Sequence, residues 1–278
     1  MSQRENATVL SSQAIAVYRT VVGCMLLAVL WKAAHFWTFL KVYAQLPLQD
    51  DFFPAWDRAN FVLAFAYLAV VSASLLTMLT RQRYQLRALA SISCGGAFLL
   101  CIHQGSYNDA TFVTAFWNSL WCAWFIHRCA ADSTAELLSK GAYLANIILA
   151  MILLGGGIGK WTAEYWSGAV LYEIYFQDRD FWIFNWLRAW FAEPELRSIA
   201  CWYSRLVIVM ETSCFAALWL LPRHYAGMLA IVVFTAIACL SNFYLFSVVL
   251  SAIGLATVSL HAVVSGSDIL PAVNPQPA

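Results

Sequence analysis

The sequence contains few charged residues. Of its 278 residues only 11% are Asp, Glu, Lys or Arg, whereas 62% are hydrophobic. A soluble domain carries about 25% charged residues, and no polar stretch here is long enough to form one. The formal net charge of +1 gives no sign of the basic surface with which proteins bind nucleic acid. We therefore expect a polytopic membrane protein without a nucleic-acid partner.

Several patterns typical of catalysis and metal binding are also missing. None of the eight cysteines is spaced as Cys-x-x-Cys, so neither a thiol–disulfide relay nor a zinc site of ordinary spacing is expected. The sequence shows no Ser-His-Asp arrangement, no glycine-rich phosphate loop and no His-x-x-x-His signature. Residues 1–13 lack the pattern of a cleaved signal peptide, so the first helix is expected to remain.

Long apolar runs fill the rest of the chain. A membrane-spanning helix needs about 20 such residues, and eight runs approach or reach that length. The sequence therefore predicts an all-α, polytopic membrane helix bundle in a single domain, residues 1–278, with about eight transmembrane helices. The expected spans are Ile15–Phe39, Phe61–Thr80, Leu86–Ile102, Thr111–His127, Ala142–Gly159, Tyr203–Leu221, Tyr225–Leu240 and Phe243–Val264.

Basic residues in the short loops predict the orientation of these spans. Short cytoplasmic loops carry an excess of Lys and Arg. This rule places both terminal tails, 1–13 and 265–278, in the cytoplasm, and the loop of residues 160–202 outside. The expected location is the bacterial inner membrane. The basic residues that decide the orientation are Arg81, Arg83, Arg87, Arg128, Lys140 and Arg223.

The loop of residues 160–202 is rich in aromatic residues. Trp182, Trp186 and Trp190 recur every fourth position, which predicts an amphipathic helix at the membrane interface, where Trp rings concentrate. Two interpretations stay open. The segment is an interfacial anchor without a further role, or it is a lid over an outward-facing cavity.

A small set of polar residues is predicted at the outer ends of the spans. Lys160 follows four glycines and precedes Trp161, while Lys32 and His35 share one helix face. His103 lies at the outer end of the third span, and Glu211 lies within the sixth, where a carboxylate indicates a functional site. A lysine and a histidine at a wet membrane mouth can transfer protons, since desolvation lowers a lysine pKa toward the range of a general base.

Each of these residues also has a structural interpretation. Lys160 and Lys32 can be helix-end anchors whose ammonium groups reach the interface. His103 can satisfy a backbone carbonyl at a helix end. Glu211 can form an ion pair with Arg205 or stay protonated.

Two motifs carry a resemblance to a known family. Gly157-Ile158-Gly159-Lys160-Trp161, followed by Tyr165-Trp166-Ser167-Gly168, and the run from His103 to Asp109 resemble segments of the HTTM family. That family is named for the membrane domain of vitamin K-dependent gamma-carboxylase. DoxX-type membrane proteins are more distantly similar. The chain departs from the pattern at Thr235, where the family usually has His, and the large exoplasmic domain of the carboxylase has no counterpart.

The resemblance implies a catalytic base at Lys160, assisted by His103, and a quinone or hydroquinone as cofactor. The side chains assigned to the quinone are Lys32, His35, Trp161, Trp166 and Glu211. The expected function is an oxidoreductase- or carboxylase-like enzyme that uses a quinol in an outward-facing cavity. The alternative is a non-catalytic accessory protein for the maturation of a secreted peptide or membrane complex, with the aromatic loop as its docking surface. Membrane lipid is the remaining expected partner.

Overall fold

The computed structural model describes residues 11–45, 59–105, 110–129, 131–240 and 245–263. These residues form helices and, within those ranges, no strand, which confirms the all-α prediction. The long helices are α1 (Ser12–Trp31), α2 (Ala33–Gln45), α3 (Ala59–Leu79), α4 (Arg83–Gly105), α5 (Ala110–Arg128) and α6 (Thr134–Ile158). After the short α7 (Ala163–Trp166) and α8 (Ala169–Leu171) come a π-helical turn (Tyr172–Gln177), α9 (Trp182–Trp190), α10 (Glu193–Leu220), α11 (Arg223–Leu240) and α12 (Phe246–Val263).

Every predicted span overlaps at least one of these helices. The first predicted span covers two, because the helix breaks at Lys32, which separates α1 from α2. Among the described residues, five helices are long and apolar enough to cross a membrane, namely α1, α3, α4, α6 and α10, and α11 and α12 contain shorter apolar stretches. The fold is thus compatible with a helical membrane bundle.

Local signals explain where several helices begin. Ser11 and Ser133 cap α1 and α6 by accepting hydrogen bonds from the N–H groups of Ala14 and Glu136. Pro194 lies in the first turn of α10, where its missing N–H costs nothing. The carboxylate of Glu195 in the same turn accepts from the N–H of Ala192.

Hydrogen bonds define one end of the bundle, which we call the basic end. Arg19 donates to the carbonyl of Thr80 over 2.8 Å, Arg87 donates to that of His127 over 3.2 Å, and Arg223 donates to the hydroxyl of Ser139. At the opposite end the rings of Trp31 and Phe246 meet edge to face, 4.9 Å apart. Since α6 starts at the basic end, its last turn and Lys160 lie at the opposite end.

Helix α12 occupies the middle of the bundle and packs on α1, α5, α6 and α11. Buried polar side chains join it to two of these neighbours. The amide of Asn118 in α5 donates to the carbonyl of Ser251, and Ser259 donates to Asn146 in α6 over 2.7 Å. Buried hydrogen bonds of this kind fix the register of helices that present mostly apolar side chains.

Residues 161–192, which we call the aromatic cap, are folded rather than an open loop. Their apolar side chains pack against the first turns of α10. This small core consists of Tyr172, Phe176, Phe181, Phe184, Leu196 and Ala200. Helix α10 is about 42 Å long, against about 30 Å for a hydrocarbon core. It is therefore longer than one membrane crossing requires, and its N-terminal turns pack on the cap.

Helix α9 of the cap is the amphipathic helix that the tryptophan spacing predicts. Trp182, Trp186 and Trp190 are 60%, 55% and 72% exposed, whereas Phe184 on the other face is buried. The indole of Trp182 also donates to the carbonyl of Cys239 over 3.2 Å, which ties the cap to the end of α11. Helix α9 is therefore amphipathic, and its location at the membrane interface stays a prediction.

Candidate functional site

The candidate site is an ion pair between α6 and α10. Lys160 lies just beyond the last turn of α6, and its Nζ is 2.7 Å from Oε2 of Glu211 in α10. The same Nζ donates to the carbonyl of Gly156 over 2.9 Å. The side chains of Lys160 and Glu211 are 22% and 11% exposed, so the pair is mostly buried but still partly accessible to solvent.

Glycines in the last turns of α6 allow α10 to come close enough to form this pair. A Cβ added at Gly156 would lie 3.3 Å from Oε2 of Glu211, and one at Gly157 would lie 3.3 Å from Oγ1 of Thr212. A Cβ at Gly155 would meet nothing within 4 Å. Two of these glycines therefore leave room for the carboxylate and the neighbouring hydroxyl.

Trp161 and Trp166 extend the contact from the ion pair into the cap. The indole N–H of Trp161 donates to the hydroxyl of Thr212 over 3.1 Å, and this hydroxyl donates to the carbonyl of Ile208. The rings of Trp161 and Trp166 are stacked, with centroids 5.4 Å apart and an interplanar angle of 21°. Both rings are partly exposed, and Trp161 contacts Thr212, the residue next to Glu211, so this aromatic stack borders the ion pair.

The chain that links these two tryptophans to the cap is fixed on α10. Gly168 has a φ of 82°, and a Cβ there would lie 2.4 Å from Cα of Cys201, so only glycine fits this crossing. The hydroxyl of Ser204 donates to the carbonyl of Tyr165. Upstream, Thr162 caps α7, and Glu164 has a pKa below its usual range because its carboxylate accepts from its own N–H and from Thr162.

Glu211 does not form the ion pair with Arg205 that its sequence position suggests. The carboxylate of Glu211 pairs with Lys160 instead. Nε of Arg205 donates to the carbonyl of Trp166 over 3.2 Å, and its guanidinium lies over the rings of Trp166 and Trp202. Six residues advance a helix by about 600°, or roughly 240° beyond one full turn, so side chains at positions 205 and 211 point in different directions.

The structure brings together four of the seven predicted site residues: Lys160, Trp161, Trp166 and Glu211. Lys32 and His35 lie elsewhere. Lys32 is buried where α1 meets α2, and His35 contacts the ring of Phe39 over 4.3 Å. In the described part of the chain, α1 and α2 pack mainly on α3, α5 and α12 rather than on α6 or α10. The side chain of His103 falls outside the described residues.

Sequence reasoning missed Gly156 and Thr212 as parts of this site. The run of glycines before Lys160 was a usable signal, because small residues on a membrane helix mark a close approach of another helix. Nothing local indicated which helix would come close. Lys160 and Glu211 are 51 positions apart, and only the packing of α6 on α10 joins them.

Chemically, this arrangement offers one carboxylate, one ammonium, one hydroxyl and two aromatic faces. These groups suit a small ring that carries hydroxyl or carbonyl oxygens, because such a ring can stack and form hydrogen bonds at the same time. Within the described ranges no three His, Cys, Asp or Glu side chains are grouped to hold a metal ion. No family model, no curated protein and no solved structure matches this chain.

Proposed function

We propose that the chain is an HTTM-like integral membrane enzyme that binds a quinol beside the Lys160–Glu211 ion pair. One observation carries this proposal: a lysine and a glutamate meet over 2.7 Å between two long apolar helices. Ionisable groups within membrane helices are costly, and they usually mark a site of function.

The energetic cost of such a pair favours a functional role over an architectural one. Two charges that leave water lose more solvation than their attraction returns, unless further hydrogen bonds satisfy them. Well-packed apolar side chains would join α6 to α10 at lower cost. The glycines at 156 and 157 instead preserve space for the carboxylate of Glu211 and the hydroxyl of Thr212.

The contacts of the two side chains support the following proposed roles. Lys160 as an ammonium donates to Glu211 and to the carbonyl of Gly156, and in that state it cannot accept a proton. A proton that moves from Nζ to Oε2 leaves a neutral amine beside a carboxylic acid. The amine is then the base that takes the proton of a quinol hydroxyl, and Glu211 is the group that holds the displaced proton.

The surroundings of the pair suit a lipid-soluble ligand. Trp161 and Trp166 offer aromatic faces to a quinol ring, and the neighbouring surface of α6 and α10 is apolar and exposed. Ile158 is 62% exposed, and Leu206 is 64% exposed. In a membrane such side chains face lipid, so a quinol with an isoprenoid tail reaches the pair from the bilayer.

The proposal includes a topology with eight spans, in which α1 with α2 forms the first. The basic end, with Arg19, Arg87 and Arg223, faces the cytoplasm by the positive-inside rule, and the aromatic cap faces outward. Both termini are then cytoplasmic, and the proposed membrane is the bacterial inner membrane.

The test is the quinone content of the purified protein. The full chain is purified in mild detergent and extracted with organic solvent, and quinones are quantified by mass spectrometry against a mock-purified membrane protein. The wild type is expected to carry near-stoichiometric quinone, and Lys160→Ala is expected to lose it.

The matched control is Lys140→Ala. Lys140 also lies on α6 and also forms ion pairs, with Asp132 and Glu136, but at the basic end. This variant is expected to keep its quinone. Quinone at mock levels in the wild type, or equal losses in both variants, would reject the proposal.

A second function, an accessory protein for a secreted peptide or membrane complex, is favoured by the aromatic face of α9. Trp186 and Trp190 are more than half exposed and can bind a partner as well as lipid. Under this alternative Trp186→Ala with Trp190→Ala abolishes the cellular phenotype of the protein, while Lys160→Ala leaves it intact. The enzyme proposal requires the reverse.

A further inference from the structure

We propose that Arg205 binds the phosphate of an anionic phospholipid from the outward-facing leaflet, in a cradle formed by Trp166 and Trp202. This site shares Trp166 with the proposed quinol site, but it does not depend on whether the ion pair binds a quinol.

The guanidinium of Arg205 is held in place by three contacts. Its Cζ atom lies 5.7 Å from the ring centre of Trp166 and 5.4 Å from that of Trp202. Its Nε donates to the carbonyl of Trp166 over 3.2 Å. An arginine that is fixed in this way loses less conformational freedom when it binds a ligand.

In the part of the chain that the structure describes, no carboxylate forms an ion pair with Arg205, so its positive charge is not neutralised there. Glu211, the nearest acidic side chain along α10, is paired with Lys160. Since Nε is already used, the two terminal nitrogens remain to donate to a phosphate, the geometry in which arginine binds this group best.

The location of Arg205 favours a lipid as the source of the phosphate. Trp202, Leu206 and Val209 are exposed on the same side of α10, and in a membrane this surface faces lipid. Arg205 is six residues, or about 9 Å, further toward the N-terminus of α10 than Glu211. It therefore lies past the last turn of α6, at the level where tryptophans and headgroups meet.

Another arginine of α10 provides a matched comparison. Arg197 also lies over an aromatic ring, that of Tyr172, with its Cζ atom 4.4 Å from the ring centre. However, it forms an ion pair with Glu193 over 2.8 Å. The two arginines share a helix, a charge and an aromatic neighbour, and they differ in whether a carboxylate neutralises them.

The test is native mass spectrometry of the detergent-purified full chain, titrated with phosphatidylglycerol. Arg205→Ala is expected to weaken the binding of the first lipid about five-fold, the effect of one cation close to anionic lipid. Arg197→Ala is expected to leave it unchanged. If Arg205→Ala does not fold, Arg205→Lys replaces it, and its affinity is expected to lie between that of the wild type and complete loss.

Two results would overturn the proposal. Equal lipid binding by the Arg205 and Arg197 variants would show that Arg205 is not the site. Displacement of the lipid by inorganic phosphate at the same concentration would show that the cradle selects a free anion rather than a lipid headgroup.

Discussion

The ion pair between Lys160 and Glu211 predicts a specific pattern of stabilities when its members are removed. Lys160→Met leaves the carboxylate of Glu211 without a charged partner in a largely buried position. Breaking a fully buried pair costs about 3–5 kcal/mol and an exposed one under about 1 kcal/mol. Because Glu211 is only 11% exposed, we expect Lys160→Met to lower the free energy of unfolding by about 2–3 kcal/mol.

The reverse change is expected to cost less. Glu211→Leu leaves Lys160 unpaired, but Lys160 lies past the end of its helix and is 22% exposed. Its long side chain can carry the ammonium to the interface. We therefore expect Glu211→Leu to lower the free energy of unfolding by about 1–2 kcal/mol. The double variant Lys160→Met with Glu211→Leu contains neither charge and is expected to return to within about 1 kcal/mol of the wild type.

The assay is reversible unfolding in mixed micelles with increasing dodecyl sulfate, followed by tryptophan fluorescence. The control is the same cycle on Arg197 and Glu193, which form an exposed pair on α10. Its coupling is expected to be undetectable, because exposed ion pairs contribute little. Equally additive changes at Lys160 and Glu211 would refute the expected cost of leaving one buried charge unpaired.

Three further predictions concern the close approach of the chain to α10. Gly156→Ala, which places a methyl group 3.3 Å from the carboxylate of the pair, should lower stability by about 1 kcal/mol, whereas Gly155→Ala, with nothing within 4 Å, should match or exceed the wild type. In Gly168→Ala the alanine must adopt a φ of 82° with its Cβ 2.4 Å from Cα of Cys201, which should lower the free energy of unfolding by about 3 kcal/mol. Trp161→Phe removes the hydrogen bond to Thr212 and should lower the free energy of unfolding by about 1 kcal/mol. Mixed-micelle unfolding measures all of these changes, and equal stabilities of the first two variants would contradict the packing described.

The helices were predictable because their signals are local. Runs of about 20 apolar residues, the tryptophans of α9 and the glycines before Lys160 are readable without knowledge of the neighbours. The break at Lys32 was not predicted, since no Gly or Pro lies near it to end a helix. The folded state of the cap was also missed, because its small core combines aromatic residues on the π-helical turn and α9 with the first turns of α10.

The site was predictable only in part because its contacts are tertiary. The sequence indicates that Lys160 and Glu211 are exceptional, but not that they meet. The expectation that Lys32 and His35 would join them assumed that the outer ends of all helices converge. In a bundle with α12 in the middle, α6 and α10 meet on one side, and α1 and α2 pack elsewhere. Shared depth in a membrane does not imply contact.

The central claim is that the Lys160–Glu211 pair binds the quinol, and the double variant tests it most directly. Because Lys160→Met with Glu211→Leu is expected to stay folded, a change in its quinone content cannot be attributed to unfolding. The measurement is bound quinone per protein, by extraction and mass spectrometry, beside the wild type. The account predicts near-stoichiometric quinone in the wild type and none above background in the folded double variant. Equal quinone in both would contradict it.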